Sequence, residues 1–265
     1  MTTLENASAV LRLFQRAGIT QGHPGLSFTE VVTALALPKS TVSRLLATME
    51  SEGLLERDPD SRCYRIGRVL LSVAGHYLST PLVDSASAPM ARLAASSGCM
   101  GYISVLDGND VLVMRMFHGR FFTQLVTPPG TRVSVTGTST GRVLLAQLSD
   151  EQVRQRFADN WQAASPNSPR HLDALCQELA RIRQQGWALA RNETLPGISS
   201  LAVAITHKHR GESAALCLSF LSQEAAPGYP EALLSELRAT AALMAEKYGA
   251  MSLDNTEQPA FDFKA

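Results

Sequence analysis

Two clusters of side chains in this sequence have the types and spacing for chemistry. The first is Lys39-Ser40-Thr41-Val42-Ser43-Arg44, directly after Leu37-Pro38. It puts short hydroxyls and cations in the first turn of a predicted helix. Hydroxyls, cations and the free backbone N–H groups of a helix start suit phosphate oxygens. Arg44 can donate two parallel hydrogen bonds to a guanine edge. The second is Gly137-Thr138-Ser139-Thr140-Gly141. It matches the G-x-S-x-G pattern of a nucleophile elbow, between a strand-like stretch and a helix. The same residues also read as an anion-binding helix start. A hydrolase would recruit Asp173 and then His207 or His209 downstream, but the parallel βαβ rhythm such an elbow needs is missing.

The elements around the first cluster follow from periodicity. Apolar Leu4, Ala7, Val10, Leu11, Leu13 and Phe14 mark a helix that Gly18 ends. A loop follows at 21–25. Ser27-Phe28-Thr29-Glu30 is a capping box opening a short helix that ends near Ala36. A third helix, from 39–41 to about Glu52, packs through Val42, Leu45, Leu46 and Met49, and Gly53 stops it. Then residues 54–57 and 62–66 alternate as strands around the turn Asp58-Pro59-Asp60-Ser61, with Gly67 closing the hairpin. Three helices and a tight hairpin make a winged helix-turn-helix whose third helix reads double-stranded DNA. Ser27, Lys39, Ser40, Thr41, Ser43 and Arg44 form the predicted contact set on the helices. Arg57, Arg62 and Arg65 form it on the wing, with Arg68 just beyond. Residues 1–80 carry a net charge of only +1, but the cations sit on the reader's start and the wing. A winged helix that binds protein instead of DNA is the competing use of this module.

Beyond the hairpin the organisation changes. Residues 67–78 are helical and lead to a boundary at Ser79-Thr80-Pro81. Leu70, Leu71, Ala74 and Tyr77 on this helix read either as core or as a seam between the linker helices of a dimer. Further helices are expected at about 85–95, 140–148, 150–157, 170–185 and 230–248. Strands are expected at 99–106, 111–117, 121–127, 132–135, 188–191, 200–206 and 213–221. Phe117-His118-Gly119-Arg120-Phe121-Phe122 reads as a hairpin turn with aromatics facing the core or a subunit contact. The fold class is α+β: an N-terminal winged helix-turn-helix (1–66), a linker helix (67–80), a C-terminal antiparallel sheet with flanking helices (81–250) and a loose tail (251–265).

Composition excludes several classes. The 265 residues carry 24 basic and 24 acidic side chains, so no general basic coat exists. No apolar run is long enough to span a bilayer, and MTTLENASAV is no export signal. A cytoplasmic, reducing location is expected, without a membrane partner. Cys63, Cys99, Cys176 and Cys217 are dispersed and read as buried thiols, not a disulfide set or zinc site. His207-Lys208-His209 has no third ligand nearby and reads as a hairpin tip. No metal and no cofactor are expected, and no catalysis.

The sequence resembles the IclR family of bacterial transcriptional regulators. The resemblance is carried by residues 37–50 (LPKSTVSRLLATME), Gly53 and Leu55, Arg57-Asp58-Pro59-Asp60-Ser61 and Tyr64-Arg65-Ile66-Gly67. It continues in Val105-Leu106-Asp107-Gly108, Pro129-Gly130-Thr131-Arg132, Gly141 to Leu148, Gln185-Gly186-Trp187 and Ala214-Ala215-Leu216. It implies a GAF-like C-terminal domain, a homodimer or tetramer on operator DNA, and a small carboxylic or sugar acid as effector. Repression is the expected mode. By position, the resemblance implies an effector pocket at Ser139, Thr140, Ala190, Ser200, Cys217 and Ser219. Ala190 stands where some members carry an acid, and Ser199-Ser200 replaces a Cys-Ile-like pair.

Overall fold

The computed structural model describes residues 2–17, 25–119, 127–158, 161–222 and 228–248. All but Thr127 of the predicted strand at 121–127, most of the loop at 21–25, part of the turn at 117–122 and the tail at 251–265 lie outside them. The chain divides into two compact units, Met1–Ser79 and Thr80–Ala265.

The first unit holds α1 (Thr3–Ala17), α2 (Phe28–Leu35), α3 (Lys39–Ser51), the strands β1 (Leu55–Arg57) and β2 (Tyr64–Ile66), and α4 (Arg68–Leu78). The capping box forms as its sequence implies. Ser27 Oγ accepts from the Glu30 N–H, and Glu30 Oε2 accepts from the Ser27 N–H. Ala36 leaves α2 in the left-handed region, and Pro38 starts α3. The helices close on Val10, Val31, Val42 and Leu46, with Leu55 from the hairpin, all without solvent exposure. Burial of such side chains is worth about 1.5–3 kcal/mol each, which holds a module this small together. Leu26 adds a short third strand by exchanging hydrogen bonds with Tyr64 at 2.8 and 2.9 Å. Periodicity cannot reveal a one-residue bridge.

The second unit holds α5 (Pro81–Ser97), β3 (Met100–Asp107), β4 (Asp110–Phe117), β5 (Arg132–Ser134), α6 (Ser139–Leu145), α7 (Asp150–Phe157), α8 (Leu172–Gln185), β6 (Trp187–Arg191), β7 (Ile198–His207), β8 (Glu212–Leu221) and α9 (Tyr229–Tyr248). One antiparallel sheet runs β5-β4-β3-β8-β7-β6. Met100, Tyr102, Ala202, Ala215 and Cys217 pack on the side of α6, α7 and α8. The architecture is α+β, a winged helix followed by an antiparallel sheet with helices. α5 begins at Pro81, four residues before the expected start at Ser85. Thr80 caps it by accepting from the Val83 N–H, and proline is well suited to the first turn. His207-Lys208-His209 forms the turn between β7 and β8, as its composition suggests.

Gly67 is the tightest joint of the first unit. Its N–H donates to the Leu54 carbonyl at 2.9 Å, and a Cβ there would lie 2.0 Å from the Gly53 carbonyl oxygen. We expect Gly67→Ala to lower stability by about 2–3 kcal/mol. Chemical denaturation measures this, and an unchanged midpoint would contradict the packing described.

Candidate functional site

The reading helix is prepared for an anion and a base edge. Lys39, Ser40, Thr41, Ser43 and Arg44 are all exposed, while Val42, Leu45, Leu46 and Met49 are buried. No side chain caps α3. The Thr41 and Val42 N–H groups turn back to the Pro38 carbonyl at 3.0 and 3.1 Å. The earlier N–H groups of Lys39 and Ser40 are thus left for an outside acceptor. Ser27 sits at the start of α2 and spends its acceptor on the capping box.

The wing arginines differ in their commitments. Asp58 organises the turn by accepting from the Ser61 backbone and hydroxyl and from the Asp60 N–H. The Ser61 bonds hold its carboxyl below the usual range. Arg65 pairs with Asp58 at 2.8 Å. Arg57 lies over the Tyr64 ring, 5.3 Å from its centroid, and donates to the Arg62 carbonyl. Arg62 adopts a left-handed backbone (φ 59°) at the tip, is exposed, and has no ion pair among the described residues.

The second unit contains a cavity of about 590 Å³, its open mouth included. Thr140, Ala190, Ser200, Cys217 and Ser219 line it. Strand register explains how residues so far apart meet: Ser219 pairs with Ser200, and Ser200 with Ala190, across three adjacent strands. Ser139 is different. It is not part of the cavity lining; its buried hydroxyl lies 2.8 Å from Ser200 Oγ and 3.9 Å from Cys217 Sγ. Burial pushes the Cys217 thiol up to about 11, against hydrogen bonds from Ser139, Ser219 and Ser200 that favour the thiolate.

The nucleophile-elbow reading fails on this geometry. The sheet is antiparallel throughout, and Ser139 faces a serine and a cysteine. His207 lies seven residues beyond Ser200 on β7, roughly 23 Å along the strand. Asp173 pairs with Arg154 at 2.7 Å. Gly141 is explained by packing: a Cβ there would lie 1.9 Å from the Val135 carbonyl oxygen. Among the described residues no group of three metal-ligating side chains exists. No helix among them is long and apolar enough to cross a membrane.

The sequence reading missed the group that shapes the cavity. Arg142 on α6 is fully buried. Its Nη1 donates to Glu193 Oε2 at 2.6 Å and to the Thr136 carbonyl at 3.0 Å. Its Nη2 donates to Glu193 Oε1 at 2.8 Å and to the Leu189 carbonyl at 2.9 Å. Nε lies 2.8 Å from Glu178 Oε1, an ion contact outside hydrogen-bond alignment. Burial raises Glu178, and Arg142 opposes that rise. The clamp fixes Glu193 and Thr194 in the wall of the cavity, and Thr194 also donates to the Gly137 carbonyl. An arginine in the helical run Gly141 to Leu148 looks like surface charge. Only its apolar flanks, Val143 to Leu145, hint that it points inward. Tyr102 and Ser104 on β3, Thr127, and Thr138 before α6 complete the polar lining, and Val113, Val133 and Ile198 supply an apolar side.

A winged helix with an open reading turn, joined in one chain to a sheet unit that holds a hydroxyl-lined cavity, defines a ligand-responsive DNA-binding regulator. Residues 3–59 match the IclR helix-turn-helix domain, and residues 75–245 match the family described as bacterial transcriptional regulator IclR C-terminal. The chain belongs to the IclR family of transcriptional regulators, which are not enzymes. It is similar to the HTH-type transcriptional regulator XynR of Escherichia coli, 26% identical over 83% of this chain and 86% of that protein. It is similar to the transcriptional repressor IclR of Escherichia coli, 27% identical over 76% of this chain and 75% of that protein. Its fold is that of an IclR homolog from Microbacterium hydrocarbonoxydans crystallised with 4-hydroxybenzoate. That comparison gives a TM-score of 0.77, 22% identity, and coverage of 94% of this chain and 99% of that one. The IclR-type regulator of Alicyclobacillus acidocaldarius gives 0.76 at 24% identity, covering 92% and 97%.

Two outcomes follow from the cavity. Removing the guanidinium in Arg142→Met strands Glu193 and Glu178 and is expected to cost about 3–5 kcal/mol, read by denaturant unfolding. A native thiol assay is expected to label half-buried Cys63 quickly and to spare Cys99, Cys176 and Cys217, all buried. Rapid labelling of Cys217 would contradict its placement.

Proposed function

We propose that the first turn of α3 reads operator DNA, with Arg44 on a base edge and Lys39, Ser40, Thr41 and Ser43 on phosphates. The wing arginines and Ser27 add backbone contacts. The observation that carries this reading is the exposed, uncapped start of α3 beside a buried opposite face. Repression is the expected mode, in the cytoplasm, as a homodimer or tetramer. Leu71 and Tyr77, exposed on α4, suit a seam between copies.

The cavity of the second unit binds a small carboxylic or sugar acid that shifts DNA affinity. Support comes from the serine, threonine and tyrosine hydroxyls set in its largely apolar wall and from the 4-hydroxybenzoate bound by the Microbacterium homolog. Such control requires tighter ligand binding to one of two arrangements of the protein.

Gel-shift titration tests the reader. Arg44→Ala is expected to cost about 1–3 kcal/mol on operator DNA and much less on unrelated DNA. Arg62→Ala is expected to weaken both equally and to reduce the salt slope by about one. Arg65→Ala is expected to do less than Arg62→Ala, because Asp58 already holds Arg65. Unchanged affinity in Arg44→Ala and Arg62→Ala together would overturn the assignment.

A further inference from the structure

Glu193 is an unusual lining residue. Its side chain is only 7% exposed, and Arg142 neutralises it with two short hydrogen bonds. A carboxylate accepts and never donates. Each Glu193 oxygen takes one N–H from Arg142, and a carboxylate oxygen has room for a second donor. The four Nη protons of Arg142 are already spent on Glu193, Thr136 and Leu189, and its Nε faces Glu178. Arg142 therefore has nothing left to offer a ligand. What the wall presents is acceptor capacity without a free cation behind it.

A second group points the same way. Tyr102 lines the same cavity and is 6% exposed. Its buried hydroxyl lies by Thr127 of the same lining without a well-formed hydrogen bond. A phenol hydroxyl can both donate and accept, so it keeps capacity for a bound polar group. Register sets Tyr102 against Cys217 in the middle of the sheet, while Glu193 follows β6 at its edge. The cavity thus carries polar groups with spare hydrogen-bonding capacity on more than one wall.

We propose that Glu193 is a specificity-determining residue of this cavity: it accepts a hydrogen bond from a ligand hydroxyl. With the Tyr102 hydroxyl it selects a hydroxylated acid over the same acid without the hydroxyl. It also rejects a diacid whose second carboxylate would face Glu193, because two buried carboxylates repel and neither can donate. This rests on the cavity being the effector site.

Calorimetric titration with matched sets of probes tests it: 4-hydroxybenzoate, benzoate and terephthalate, then 3-hydroxypropionate, propionate and malonate. In the natural protein at least one hydroxy acid is expected to bind tighter than both of its partners by about tenfold or more, the scale of a hydrogen bond to a charged group. Glu193→Gln is expected to bring the members of that set within about threefold, since the amide no longer repels the diacid and bonds more weakly. Glu193→Asp keeps the charge opposite Arg142 and withdraws the acceptor by one methylene, so the hydroxy acid and its deoxygenated partner are expected to come within about threefold while the diacid is still rejected. Equal binding of the deoxygenated acid or the diacid, binding by no hydroxy acid, or an unchanged ratio in both variants overturns the inference. Ser200→Phe fills the cavity and separates the two readings. Binding that survives it overturns the cavity as effector site. Binding lost in Ser200→Phe, with selectivity unchanged in the Glu193 variants, overturns only the role of Glu193.

Discussion

The sheet unit is organised around one buried guanidinium. Arg142 ties α6 to the middle of β6 through the Leu189 carbonyl, to the segment before α6 through Thr136, and to the β6–β7 connection through Glu193. A buried ion pair of this kind rarely gains stability over apolar packing. Its benefit here is placement. The planar fork holds the Glu193 carboxylate in one orientation, and the wall of the cavity takes its shape from that. Glu178 adds a second, partly exposed carboxylate and leaves the cluster rich in negative charge.

The same serine-rich segment shows how context decides chemistry. Gly137-Thr138-Ser139-Thr140-Gly141 has the spelling of a nucleophile elbow, yet three of its residues have structural uses. Thr138 caps α6 by accepting from the Gly141 N–H. Gly141 allows the close approach of Val135. Ser139 joins α6 to β7 through Ser200. In an antiparallel sheet this turn is not presented at the carboxyl edge of parallel strands, where an elbow would work. What remains is a hydroxyl-lined surface, suited to binding.

In the winged helix, charge is distributed by commitment more than by count. Arg57 and Arg65 are held within the wing by Tyr64 and Asp58. Arg62 is carried outward by a left-handed residue at the tip. Two cations thus keep the hairpin rigid while the third projects. Rigidity in the wing lowers the entropy lost when such a hairpin meets a partner.

Local signals determined much of this protein. The capping box at Ser27, the i, i+3, i+4, i+7 stripe of α3 and the turn at Asp58 are short-range features. Each depends on neighbours within a few residues, so the sequence alone places them. The five cavity residues Thr140, Ala190, Ser200, Cys217 and Ser219 came from family resemblance, not from periodicity. Tertiary structure decided the rest. Strand order brings Ala190, Ser200 and Ser219 into one row, and no local pattern encodes register between strands. Arg142 was invisible as a core residue because a charge is expected outside until its partners are known. Its partners Glu178 and Glu193 are 36 and 51 positions away, and only folding brings them within reach.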